Sequence, residues 1–113
     1  MCSQQTVQEI LERLCGELRE LLGTPMHDVI LFGSHARNEA NDESDIDVMI
    51  LSDMKRDDIT ALQWKIGELA GDILLDFGVL VSPIVENRAF FQENQEIMPF
   101  FRNIHQEGVR ISV

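Results

Sequence analysis

The stretch "ILFGSHARNEANDESDIDVMIL", residues 30–51, decides the fold. An apolar run ends in Gly33-Ser34, a polar segment follows, and Asp45 and Asp47 open a second apolar run. The first run reads as a short strand over 28–32 and the second as a strand over 45–51. Within the second, Ile46, Val48 and Ile50 take one face and the two aspartates the other, because side chains alternate along a strand. Ser34–Glu39 reads as the opening turns of a helix, and 39–44 as a polar, turn-rich loop.

This arrangement carries chemistry. Residues i and i+2 of a strand stand roughly 6.5 Å apart on one face. Two carboxylates held that way repel each other, and a divalent cation relieves the repulsion. Hard cations such as Mg²⁺ prefer carboxylate and phosphate oxygens. Glycine lets a ligand approach the backbone closely. A serine at a helix start adds a hydroxyl to the N–H groups that favour anions there. One strand end thus offers a phosphate seat, and the next strand start offers the metal that a triphosphate carries. Two metals in such a site stabilise the attacking and leaving oxygens of an in-line displacement.

Outward from this centre the chain alternates helices and strands. Val7, Ile10, Leu11, Leu14, Leu18, Leu21 and Leu22 recur at helical spacing, which predicts a helix over 4–22. Thr6 and Glu9 suit a capping box, and Gly23 with Pro25 supplies a stop. Ile59, Leu62, Ile66, Leu69, Ile73 and Phe77 predict a second long helix over 57–77, closed by Gly78. A third strand follows over 79–85, and its Pro83 favours a sheet edge because it lacks a ladder donor. Phe90, Phe91, Ile97, Phe100, Phe101 and Ile104 predict one or two short helices, with Pro99 in a first turn. Their aromatic cluster reads as core, with an exposed docking surface as the alternative. Trp64 suits either the core or a partner contact. The segment 109–113 alternates as a last strand. The expected fold class is a small α/β (α+β) domain, a mixed β-sheet flanked by helices.

The 113 residues fit one domain spanning 1–113. Nine Lys and Arg face twenty Asp and Glu, a net charge of −11. Such a chain lacks the basic footprint that nucleic acids and anionic membranes require, and is steered toward cationic partners. Cys2 and Cys15 are too few for a disulfide framework and read as free thiols of a reducing cytoplasm. No apolar run is long enough for a membrane span, and no signal peptide is evident. His27, His35 and His105 lack metal-ligand spacing, although His35 lies inside the motif, within reach of a base or phosphate.

Gly33-Ser34, ten residues, then Asp45-x-Asp47 resembles the signature of the nucleotidyltransferase superfamily related to DNA polymerase beta. The fuller string "GSHARNEANDESDIDVMIL" resembles the minimal nucleotidyltransferases, MNT-type antitoxins paired with HEPN-domain RNase toxins. The resemblance implies that Gly33, Ser34 and Arg37 bind the nucleotide and that Asp45 and Asp47 hold Mg²⁺. Asn38 stands where the family usually has glycine, and Ser44 matches the serine before the first aspartate. Active relatives add a third carboxylate on the third strand. Here "VLVSPIV" places Ser82 mid-strand. Asp76, upstream, is the candidate third catalytic and metal-binding acid, with Glu86 as the alternative.

The implied activity is transfer of AMP from Mg-ATP to a hydroxyl, a tyrosine of the HEPN-type toxin, which is thereby silenced. The implied assembly is an oligomer, homo- or hetero-. A different class of reading is a catalytically weak binding module that neutralises a basic partner by contact. Transfer to a small molecule, as in aminoglycoside-modifying relatives, is disfavoured, because the chain has no room for their extra helical domain.

Overall fold

The computed structural model describes residues 4–23, 26–37, 39 and 45–111. Its elements are α1 (Gln4–Leu22), β1 (Met26–Phe32), β2 (Ile46–Ser52), α2 (Arg56–Ala61), α3 (Gln63–Phe77), β3 (Val81–Asn87), α4 (Arg88–Asn94), α5 (Pro99–Glu107) and β4 (Val109–Ile111).

The strands form one sheet in the order β3-β2-β1-β4. β1 runs antiparallel to both β2 and β4, whereas β2 and β3 run parallel across the α2–α3 crossover. The sheet is therefore mixed. β3 lies at an edge, where Pro83 costs no ladder bond.

Side-chain alternation along β2 splits the core in two. Val29, Ile46, Val48 and Ile50 pack under α1 and α3, against Ile10, Leu14, Leu18, Ile66 and Ile73. Ile30, Met49 and Leu51 face the other way, into Phe91, Phe101 and Ile104 of α4 and α5. Cys15 is fully buried in the first layer, and burial pushes its thiol up to about 11. Trp64 is 62% exposed on α3, which settles it as a surface residue. Among the described residues, no helix is long and apolar enough to cross a membrane.

Three local expectations are corrected. The single helix over 57–77 is two, broken at Leu62 with φ −97° and ψ 0°. The Thr60 hydroxyl donates to the Arg56 carbonyl at 3.0 Å, a back-bond that bends helices. The described start of this segment, residues 33–37, forms a turn rather than a helix. Its closing bonds, Arg37 N–H to Gly33 O and Glu39 N–H to Ser34 O, span four and five residues, so the α-ladder does not propagate. Finally, α1 already runs at Gln4, which places Thr6 inside the helix and not at its cap. Cys2, Pro25, Asn38 and Ser44 lie outside the described residues.

Candidate active site

β1 delivers Phe32 and Gly33 beside the start of β2, where Phe32 is the register partner of Asp47. Gly33 takes φ +74°, the left-handed region that side chains avoid. A Cβ built there would lie 2.4 Å from Asp47 Oδ2. The backbone of the turn thus rests against the carboxylate, and a side chain at this position would push that carboxylate away. Beyond it, the amides of Ser34, His35 and Ala36 make no hydrogen bond among the described residues. Successive free N–H groups in a tight turn form an anion-binding concavity. In place of the expected helix N-terminus the structure has a turn that leaves these three donors unpaired among the described residues.

Asp45 is exposed and Asp47 half-buried. Burial first, then the charge of Asp45, pushes the Asp47 carboxyl above its ordinary value, while His35 and Arg37 pull it back. The Nε2 atom of His35 is buried without a hydrogen-bond partner. Arg37 is exposed, bridging Glu39 at 3.1 Å and Glu107 of α5 at 3.5 Å. A repelling carboxylate pair, a row of free amides and an orphaned imidazole nitrogen fit a divalent cation with a phosphate chain.

The expected third acid is corrected. Asp76 closes α3, in the helical layer on the opposite side of the sheet from Asp47, and pairs with Arg13 of α1. Glu86 is equally misplaced. It sits opposite Leu51, four residues along from Asp47, where Arg56 holds it at 3.1 Å and the Asn87 N–H donates to it at 2.8 Å. The β3 residue in register with Asp47 is Ser82. Among the described residues no group of three or more His, Cys, Asp or Glu is placed to hold a metal. The structure thus brings Gly33 and Arg37 beside Asp47, with Ser34 next along the turn and Asp45 two residues before it, and leaves Asp76 elsewhere.

One element of the site escaped the sequence. Phe100, Asn103 and Glu107 of α5 face the Gly33–Arg37 turn across a cleft of about 180 Å³. No local pattern marks them. Their role depends on α5 crossing back over β1, and only their spacing of three and four residues along one helix face was available as a signal.

A Gly-Ser turn over an aspartate pair, on a mixed sheet with helices on both faces, is the arrangement expected of the nucleotidyltransferase domain. The match of residues 11–104 to the nucleotidyltransferase domain agrees, and the chain belongs to that family. It is 33% identical over 109 residues to "Putative protein adenylyltransferase MJ0604" of Methanocaldococcus jannaschii, covering 96% of each chain. "Putative protein adenylyltransferase MJ0141" of the same organism is 35% identical over 77 residues, 68% of this chain and 76% of that one. Among solved structures, "Crystal structure of the toxin-antitoxin with AMP-PNP" shares the fold with a TM-score of 0.53 at 20% identity, covering 88% of this chain and 70% of that one.

Proposed function

We propose that this chain transfers AMP from Mg²⁺-bound ATP to a protein hydroxyl, a tyrosine of a HEPN-type toxin that it contacts and silences as an antitoxin. The observation that carries this reading is the Asp47 carboxylate lying against the Gly33 turn, with Asp45 two residues before it. The relatives described as protein adenylyltransferases, and the structural neighbour, a toxin-antitoxin with AMP-PNP, support it.

In this reading the free amides of Ser34, His35 and Ala36, the Ser34 hydroxyl and Arg37 hold the phosphates. Asp45 and Asp47 hold the Mg²⁺, which neutralises charge on the phosphate oxygens. Arg37 exchanges Glu39 and Glu107 for phosphate when nucleotide binds. The acceptor oxygen bonds to the α-phosphorus, the bond from that phosphorus to the β-bridging oxygen breaks, and pyrophosphate departs. The hydroxyl proton passes to solvent, since Ser82 and not an acid stands in register with Asp47. Forgoing a positioned base costs roughly 10²–10⁴ in rate.

Ser82 is also what favours the second reading, a binding module that neutralises its partner by contact alone. Incubation with α-labelled ATP, Mg²⁺ and the product of the neighbouring gene separates the two. Label on the partner, absent with Asp45→Asn/Asp47→Asn, is the expected result. An unlabelled partner that is nonetheless bound and inhibited would establish the contact mechanism.

A further inference from the structure

The cleft between the Gly33–Arg37 turn and α5 opens on the sheet face that carries Asp47. Phe32 forms part of its wall and is the register partner of Asp47, so the cleft begins on the strand next to Asp47. Phe100 is 46% exposed, and its ring meets that of Phe32 nearly perpendicular, at 5.8 Å between centroids. Phe100 and Asn103 are three residues apart on α5 and present the same helix face. The Asn103 carboxamide makes no hydrogen bond among the described residues. An exposed aromatic and an unengaged carboxamide thus stand together beside the phosphate seat.

The volume limits what can enter. About 180 Å³ is below the ~300–1,000 Å³ that encloses a whole drug-sized ligand, yet sufficient for one ring system. We propose that the cleft takes the base of the bound nucleotide, stacked on Phe100, and that Asn103 reads that base as adenine. A carboxamide presents a donor and an acceptor side by side, which matches the N6 donor and N7 acceptor of adenine. Guanine presents two acceptors at the same edge. A tyrosine ring of an acceptor could use Phe100 but offers only one polar group to Asn103. The base therefore satisfies both residues and the ring does not.

This inference rests on the nucleotide-binding reading above. Calorimetric titration without any acceptor tests it, using ATP, GTP and inorganic tripolyphosphate with Mg²⁺. Wild type should bind ATP at least tenfold more tightly than tripolyphosphate, and more tightly than GTP. Phe100→Ala should weaken ATP and GTP alike by about tenfold. Asn103→Ala should erase the preference for ATP over GTP. Both variants should bind tripolyphosphate as wild type does, which also shows that the turn remains folded. Equal wild-type affinity for ATP and tripolyphosphate would overturn the inference alone, as would variants that weaken both ligands in proportion. Wild type binding neither ligand would overturn the nucleotide reading, and the inference with it.

Discussion

Gly33 answers to two constraints, a left-handed φ and the Asp47 oxygen where a Cβ would stand. Gly33→Ala should therefore cost about 1–3 kcal/mol of stability, read by denaturant unfolding, and displace the carboxylate, abolishing transfer. Asp47 itself works against the ligand-free fold. Its carboxyl is held above the ordinary value, so its contribution is complete below the ordinary carboxylate range and is lost as pH rises through the raised value. Asp47→Asn should accordingly stabilise the fold at about pH 7 by a few tenths of a kcal/mol, given its partial exposure, seen as a raised melting temperature, and change little near pH 4. Thermal melts at both pH values without divalent ions check this. Ser82→Asp, in register with Asp47, should speed transfer by restoring a proton acceptor, toward the ~10²-fold end of general-base effects, in single-turnover assays with the partner. At this scale the sequence was legible where spacing alone decides. Gly33, Ser34, Asp45 and Asp47 are adjacent through one turn and one strand pair. Asp76 was not, because the side of the sheet on which a helix ends depends on packing, and its guanidinium partner Arg13 lies 63 residues away.

Among the elements, α3 carries Gly67 and Gly71 in its interior with open space where either Cβ would project. Glycine inside a helix costs roughly 0.5–1 kcal/mol relative to alanine. Gly67→Ala and Gly71→Ala should each stabilise by that amount, read as a shifted denaturant midpoint, and leave nucleotide affinity unchanged. Trp64 and Leu75, 62% and 84% exposed, lie on the same helix, so its outer surface is not governed by the core. The break at Leu62 was invisible to periodicity, because Ile59, Leu62 and Ile66 all still face the first core layer across it. A hydrophobic stripe records which side is buried, not whether the axis continues. Pro83, by contrast, announced an edge strand, since its missing donor is a property of the residue and not of its surroundings.

Across the whole molecule, a net charge of −11 sets like charges against one another in the folded state. Raising NaCl from about 10 mM to about 150 mM shortens the Debye length from ~30 Å to ~8 Å, and should raise the melting temperature by screening that repulsion. A fall would show that attractive surface pairs such as Arg37–Glu39 dominate instead. The two-layer plan around a mixed sheet was readable from the order of elements, but the seat of α5 beside the Gly33 turn was not. That contact closes over a separation of some seventy residues, as the Arg37–Glu107 pair shows. The other layer holds a sulfur sealed from solvent, Cys15, whose thiol burial has pushed up to about 11. With Cys2 replaced by serine, an alkylating reagent reaches this sulfur only when α1 lifts from the sheet. The protein thus carries its own stopwatch for breathing, placed on the face away from Asp47. Running it with and without nucleotide times whether occupying one side of the sheet clamps the other.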